Sequence, residues 1–430
     1  MILTEEMQKI MNLIQDDENN VFVTGKAGSG KTTFLKYLIE KSGKNCIVAA
    51  PTGIAAINAG GVTLHSLFGI PFGPITPYDR LENKFSEYKV ELLLKMELLI
   101  IDEISMVRPD ILDTIGRKLR WVYESDEPFG GVQVVMFGDL FQLPPVTKKQ
   151  EREILSDFYD GFFFFNALVF KRTGFHIVEL TKIFRQTEPE FINVLNNIRN
   201  YQVTSDELDL LSELKDRKIS SSYDNEYIHI CTHKADVERI NADKLGEQEI
   251  RNYDIVIKDK FPESSIPCDL HLKLRVGARV MSLVNDSLKG YYNGMLGIVT
   301  ALEDNVITVR MDNGRTIKFE RYTWSNTQYT LKDNEIVKEE IGSCIQFPLT
   351  LAWAITIHKS QGLTFDKIII HVSHTFCPGQ LYVALSRCRT LEGIVSDAFI
   401  TKQMIIPEYA LIDFERAYKS EGNYYGKRLD

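Results

Sequence analysis

The chain has 430 residues, 44% of them hydrophobic and 25% charged, which leaves room for roughly two to four domains with sizeable cores. It contains no apolar run of about 18 residues, which excludes a helical membrane span. A formal net charge of −9 argues against a sticky polycation, yet a groove can still be locally basic or use aromatic faces for nucleic acid.

The N-terminus, MILTEEMQKIMNLI, is acidic and amphipathic and reads as neither a secretory signal nor an Arg-rich transit peptide. Thr4 to Ile14 predicts a helix with Met7, Ile10, Met11 and Ile14 on one face. Gln8 on that helix is either a solvent-exposed glutamine or a reader of an adenine edge.

Val21-Phe22-Val23 predicts a buried strand running into Gly25-Lys26-Ala27-Gly28-Ser29-Gly30-Lys31-Thr32, after which a helical pattern begins. Gly, four residues, Gly-Lys-Thr is the spacing of a phosphate-binding loop, and strand–loop–helix is its context. Backbone N–H groups of such a turn converge on an anion at a helix N-terminus. Lys31 reaches the β- and γ-phosphates, and the Thr32 hydroxyl holds a magnesium ion. Gly25, Ala27, Gly28, Ser29, Gly30, Lys31, Thr32 and Thr33 are the nucleotide-contacting set.

A second strand, Cys46 to Ala50, ends at Pro51-Thr52-Gly53 and a small-residue helix; Thr63-Leu64-His65-Ser66-Leu67-Phe68 follows. The excursion GIPFGPITPYDR, with Pro71, Pro74 and Pro77, is too stiff for a central strand. It reads as a surface loop or as a projecting wedge with Phe72 near its tip. Leu98 to Ile101 is apolar on both faces and predicts a buried parallel strand ending in Asp102-Glu103. Acids at that end lie where doubly wound sheets bind ligands, so Asp102 faces the metal and Glu103 orients or deprotonates water. Arg108 to Ser125 predicts a helix, and Val132 to Phe137 a strand leading to Gly138-Asp139-Leu140-Phe141-Gln142. Gln142 is neutral and suits sensing a γ-phosphate.

Residues 161–172, GFFFFNALVFKR, read as core, with an aromatic face for bases as the alternative. A strand at His176 to Leu180 precedes Phe184-Arg185-Gln186, and the domain changes near residue 180. Residues 188–217 predict two helices. Tyr227 to Thr232 and the helix after it form a βα unit where a second phosphate loop would fall, but Thr232-His233-Lys234 lacks the glycines. Residues 251–344 are β-rich, with turns at Asn293-Gly294 and Asn313-Gly314, and predict an inserted β-barrel that binds nucleic acid or serves as a structural module. The chain then returns to α/β through His358-Lys359-Ser360-Gln361-Gly362-Leu363-Thr364 and Ser386-Arg387-Cys388-Arg389. His371, His374 and Cys377 are close in sequence but lack a fourth ligand, so a strand end and polar loop is preferred to a metal site. The six scattered cysteines include no Cys-x-x-Cys and predict free thiols in a reducing compartment.

Arg185 and Arg387 lie far from the loop, in a loop-less second half, and suggest arginine fingers, each worth roughly 10³ to 10⁵ in rate. The series GKAGSGKT, APTGIAA with THSLF, LIIDEISM, FGDLFQLPP, FRQ, AITIHKSQGLT and LYVALSRCR resembles a superfamily one helicase. The stretch from Asp113 to Pro145 is similar to the signature region of the Pif (petite integration frequency) family, with Ile115 to Arg120 as a departure in charge. The resemblance implies two tandem RecA-like, doubly wound parallel-sheet domains. The first spans 1–180 with a wedge insertion at about 66–80. The second spans 181–250 and 345–430, and an SH3-like β-barrel occupies 251–344.

The resemblance also implies a bacterial-type, cytoplasmic, nucleoid-associated monomer with ATP and Mg²⁺ as cofactors. It would move 5′→3′ on single-stranded DNA and open tailed or forked duplex, G-quadruplex or RNA–DNA hybrid. Gln8 would read adenine; Gln142, Arg185, Gly362 and Arg387 would sense the γ-phosphate. Thr52, His65, Phe68, His358, Ser360 and Thr364 match motifs that track the strand. Opening each base-pair step costs about 1.4 kcal/mol, so unwinding needs coupled fuel. A RecD-like motor subunit and a nucleotide-switched single-strand-binding protein are the alternative readings.

Overall fold

The apolar run Val21–Gly25 (β1) becomes an inner strand of a seven-stranded sheet, buried along its whole length. The computed structural model describes residues 3–15, 19–80, 85–217, 226–247, 249–286, 288–332, 335–373 and 375–426. The chain divides into two units. One comprises Met1–Phe184, Thr327–Glu340 and Glu408–Asp430; the other comprises Arg185–Asn326 and Ile341–Pro407.

In the first unit, helices α1 (Glu5–Gln15), α2 (Lys31–Lys41), α3 (Gly53–Ala59), α4 (Leu64–Phe68), α5 (Glu87–Leu94), α6 (Pro109–Val122), α7 (Lys149–Leu155) and α8 (Leu168–Arg172) surround the sheet. Its strands are β1, β2 (Cys46–Ala50), β3 (Val62–Thr63), β4 (Leu98–Ile101), β5 (Gln133–Phe137) and β6 (Phe175–Leu180), with Tyr424–Tyr425 on the edge. The order is Tyr424–Tyr425, β6, β1, β5, β4, β2, β3. All pairs are parallel except the edge pair on β6. Period-two alternation sends β1 to two layers. Val21 and Val23 join a core with Met7, Ile10 and Ile14 of α1 and Phe34, Leu35 and Leu38 of α2. Phe22 meets Phe164 edge-on at 5.2 Å.

Residues 161–172 supply core: Phe163, Phe164, Phe165 and Phe170 are all buried. The tail helix Tyr409–Ser420 returns to them, and Phe414 stacks on Phe165 with centroids 4.3 Å apart and planes 5° off parallel. Offset stacks of this kind add to the burial of a large apolar area. Phe414→Ala is expected to cost about 3–5 kcal/mol, read as a fall in the thermal midpoint. A loss under about 1 kcal/mol would mean that the tail helix is not part of this core. The hairpin tip 327–340 also belongs to this unit: the Val48 amide donates to Tyr329 Oη at 3.0 Å, and Lys338 Nζ donates to the Gly60 carbonyl.

Helix α6 begins with Pro109 at its first turn, where a missing N–H costs nothing. Its Gly116 admits α8 closely, since a Cβ there would meet Val169 Cγ2 at 2.6 Å. Asp113 is buried on the same face and accepts from the amides of Val169 at 2.7 Å and Leu168 at 3.1 Å, and from Tyr159 Oη at 2.9 Å. By accepting from the first two amides of α8, the Asp113 carboxylate caps the start of that helix.

The second unit has a four-stranded parallel sheet in the order Ala354–Thr356, Ile228–Cys231, Ile368–His371, Ile394–Ser396. The helix Lys234–Leu245 follows Ile228–Cys231 after only two residues, with no glycine-rich loop. A five-stranded antiparallel sheet runs Thr316–Phe319, Ile307–Met311, Leu296–Leu302, Arg279–Ser282, Leu349–Leu351. Buried Arg279 anchors it through a two-pronged ion pair to Asp312 at 2.5 and 2.6 Å. Asn313-Gly314 sits at the expected turn between two of its strands. His371 Nδ1 lies 3.2 Å from Asp397 Oδ2, and His374 lies outside the described residues. No grouping of three metal-ligating side chains occurs among the described residues. No described helix is long and apolar enough to cross a membrane.

Candidate nucleotide and nucleic-acid site

The loop follows β1 at the carboxyl end of the parallel sheet. Gly25 is required by space: a Cβ would lie 2.7 Å from Ser29 Oγ and 2.8 Å from the Leu180 carbonyl. Gly28 and Gly30 have φ of 82° and 85°, a region that costs other L-residues about 1–2 kcal/mol. Gly30 is the N-cap of α2 and supplies no side-chain cap, and the first turn carries no acid. The helix start is therefore left for an external anion, which its exposed amides and dipole favour. Lys31 Nζ folds back on the carbonyls of Gly25 at 2.6 Å and Lys26 at 3.2 Å. The hydroxyls of Thr24 and Ser29 are buried with no hydrogen-bond partner among the described residues. Buried polar atoms of this kind call for a ligand or water.

Asp102 continues β4 and is 8% exposed. Burial, then the neighbouring Glu103 carboxylate, pushes its pKa up to about 7; a nearby cation would reverse that shift. Glu103 takes a left-handed φ of 51°, and its amide donates to Asp102 Oδ1 at 2.9 Å. Strain in a non-glycine residue of this kind clusters at functional sites. Beyond β5, the Gln142 amide donates to Asp139 Oδ2 at 3.2 Å, with Asp139 fully buried. The loop, Thr32, Thr33, Asp102, Glu103 and Gln142 thus all follow strands of one sheet at their carboxyl ends. Gln8 lies on α1 and donates its side-chain amide to Asn12 Oδ1 at 3.0 Å.

One residue escaped the sequence reading. The Phe184 amide donates to the Gly28 carbonyl at 2.9 Å, and its ring lies 3.6 Å from where a Gly30 Cβ would stand. The ring is 55% exposed over the loop and has Lys182 Nζ 5.2 Å from its centroid. Its signal in the sequence is an aromatic directly before Arg185.

Thr52 is exposed and caps α3 by accepting from the Ala55 amide at 3.2 Å. His65 stacks on Phe72 at 4.9 Å, and burial followed by the Arg108 charge lowers its pKa. Phe72 is 85% exposed. Its loop is pinned just after the ring: Arg108 donates to the Gly73 carbonyl at 2.6 Å, and the Ile75 amide donates to Asp110 Oδ2 at 3.0 Å. The excursion is therefore a braced projection. Phe68 corrects an expectation: its ring is fully buried and offers no face to a base, because α4 turns it into the core.

In the second unit, three separated stretches converge. Arg185 donates to the carbonyls of Ser386 at 3.1 Å and Gly362 at 3.4 Å, and Gln186 to those of Ser386 and Cys388, each at 3.0 Å. Burial lowers the Arg185 pKa to about 10. Arg387, 1% exposed, donates to the Val383 carbonyl at 2.8 Å, the Ser360 carbonyl at 3.2 Å and Ser386 Oγ at 2.8 Å. It is thus folded into its own unit, whereas a finger was expected to project. Ser360 is also buried, and its hydroxyl donates to the Ile357 carbonyl at 2.7 Å. His358 is half-buried, with its pKa lowered by burial. Gly362 is exposed at φ 78°, and Thr364 is half-buried nearby in sequence.

A glycine-rich loop after an inner parallel strand, an acid at a neighbouring strand end and a loop-less second α/β unit define a phosphate-loop protein with tandem RecA-like units. Residues 2–209 match the model of the PIF1-like helicase family. The chain is 34% identical over 398 residues to the ATP-dependent DNA helicase Pif1 of Campylobacter jejuni, covering 86% of each. It is 99% identical over its whole length to the Bacteroides sp Pif1 crystallised with ADP-AlF4, with a TM-score of 0.96 and all of both chains covered. A second Bacteroides structure, Pif1 helicase with ADP-AlF3 and single-stranded DNA, is 99% identical with a TM-score of 0.75, again over all of both chains. The chain belongs to the PIF1-like helicase family. It spans 64% and 65% of the length of two vertebrate relatives it matches, from Danio rerio and Xenopus laevis.

Proposed function

We propose that the chain is an ATP-dependent DNA helicase that translocates 5′→3′ on single-stranded DNA. The observation that carries this reading is one complete phosphate loop on the first unit, joined to a second unit that has no loop but gathers Arg185, Gly362 and Arg387. Family membership and the nucleotide and strand carried by the Bacteroides relative support it.

In this reading the uncapped start of α2 binds the phosphates, and Lys31 exchanges the Gly25 and Lys26 carbonyls for the β- and γ-oxygens. Magnesium suits the hard oxygen donors here: Thr32 Oγ1 and the Asp102 carboxylate would hold it, and it supplies charge neutralisation at the phosphates. Glu103 orients the attacking water and accepts its proton. Gln142 reports the γ-phosphate. Phe184 stacks on the base, and Gln8 reads its edge by leaving Asn12. Arg185 and Arg387 stabilise the charge that develops on the transferred phosphoryl group. Thr52, His65, His358 and Thr364 follow the strand, and the braced Phe72 loop is the wedge. The five-stranded antiparallel sheet is an SH3-like accessory subdomain. The protein acts as a monomer in the cytoplasm beside chromosomal DNA, with forks, hybrids and quadruplexes as candidate substrates.

The test is polarity and fuel together. A duplex with a 5′ single-stranded tail is expected to be unwound with ATP, and its 3′-tailed counterpart is not. Equal ATP hydrolysis with and without single-stranded DNA would remove the motor reading; preference for the 3′ tail would remove the polarity.

A further inference from the structure

Helix α6 carries a basic face that the nucleotide and strand-tracking residues do not use. An open cleft of about 680 Å³ there is lined by Arg80, Arg117, Arg120 and Trp121 together with Glu124, Ser125 and Asp126. That volume lies in the range of about 300–1,000 Å³ typical of ligand sites. A smaller cavity of about 190 Å³ shares Arg117, Arg120 and Asp126 and adds Arg172. Four arginines around two joined cavities stand out in a chain whose net charge is −9.

These arginines differ in what they already hold. Arg117 donates to the carbonyls of Thr76 at 3.3 Å and Asp79 at 2.5 Å. It therefore ties the cleft to the far side of the loop that presents Phe72. Arg80 and Arg120 have no hydrogen-bond or ion-pair partner among the described residues, and Trp121 is 44% exposed. A guanidinium is a planar donor matched to phosphate oxygens. An exposed indole beside it offers a sequence-tolerant stacking face, and the carboxylates of Glu124 and Asp126 in the same lining can accept from the exocyclic amine of a base.

We propose that this cleft binds a nucleotide of single-stranded DNA from the strand that is not tracked, its phosphate on Arg80 and Arg120 and its base on Trp121. The proposal rests on the helicase reading, because only a protein that parts two strands has a second strand to place. Arg117 braces the cleft to Thr76 and Asp79 of the loop that presents Phe72, so the cleft and the projecting ring belong to one braced segment. Holding that strand slows re-annealing behind the loop.

The probe is a duplex with a 5′ dT tail, compared with the same duplex carrying an added 3′-ended dT arm, both measured by fluorescence anisotropy without nucleotide. The arm is expected to tighten binding about 10-fold in the natural protein, the scale of one stacked base with its phosphate. The double variant Arg120→Ala/Trp121→Ala is expected to bind both substrates alike, with affinity for the tailed duplex within about 2-fold of the natural protein. Arg120→Lys/Trp121→Phe is expected to keep most of the arm's contribution. Removing Arg120 should also flatten the salt dependence of fork binding by about one unit in the log–log slope. An arm of abasic linker should keep the salt effect and lose the stacking gain. An arm-dependent gain that survives in the double variant, or an equal loss of affinity for both substrates, overturns the proposal. Failure of the natural protein to unwind the tailed duplex with ATP would instead overturn the helicase reading, and the arm measurement needs no ATP.

Discussion

Lys31→Ala is expected to lower single-strand-stimulated ATP hydrolysis by about 10³-fold while leaving strand binding within a few-fold of the natural protein. The ammonium rests on the carbonyls of Gly25 and Lys26 inside the loop. Those carbonyls are weak partners compared with phosphate oxygens, because charge-assisted bonds to an anion are about twice as strong as bonds to a neutral acceptor. In the proposed mechanism the lysine moves to the β- and γ-phosphates on binding and strengthens its contact as negative charge shifts in the transition state. Losing about 4 kcal/mol of such stabilisation corresponds to about three powers of ten in rate. The substitution removes two bonds to backbone carbonyls at a half-buried site, so the thermal midpoint should move little. Steady-state hydrolysis, a thermal melt and single-strand anisotropy on the same preparation check all three. If Lys31→Ala still separates strands with ATP, the loop does not deliver the fuel.

Much of this site was legible because its signals are local. The spacing from Gly25 to Thr32, the apolar run Leu98 to Ile101 and the acids after it each lie within one strand and its turn. The absent second loop was equally plain at Thr232-His233-Lys234. What was not legible depends on partners far along the chain. Nothing near Phe414 says that its ring stacks on Phe165, or that Tyr329 takes the Val48 amide. Phe68 and Phe72 lie four residues apart in one motif, yet one is fully buried and the other 85% exposed. The difference arises because α4 ends at Gly69 in a left-handed turn that reverses the chain. Phe184 was missed for a similar reason: its neighbour Arg185 carries the obvious chemistry, while its own place over Gly30 appears only once β6 lies beside β1.

Arg387 shows how burial changes a prediction. Arg387→Ala is expected to reduce ATP turnover by about 10³-fold or more, the range for loss of an arginine that stabilises phosphoryl transfer. The same change removes the donor for the Val383 and Ser360 carbonyls and Ser386 Oγ. The Val383 carbonyl keeps the Ser386 hydroxyl and the Ser360 carbonyl keeps the Leu363 amide, but bonds from a charged donor are worth about 1.5–3 kcal/mol, so some loss of thermal stability accompanies the kinetic effect. The two contributions separate in the kinetics. A purely structural defect lowers the amount of active enzyme and responds to temperature. Loss of transition-state stabilisation lowers kcat at constant KM and leaves fluorescent-ADP binding intact. Arg387→Lys sharpens the distinction, because it keeps the charge but lacks the planar fork that meets three acceptors or two phosphate oxygens. It should therefore recover little activity. Arg185 binds the Ser386 and Gly362 carbonyls beside the same node, so the two arginines should act as a unit. Arg185→Ala/Arg387→Ala is then expected to be little slower than Arg387→Ala alone. Hydrolysis by Arg387→Ala within about 10-fold of the natural rate would mean that this arginine only holds the Ser360 and Val383 segments in place and never reaches the phosphate.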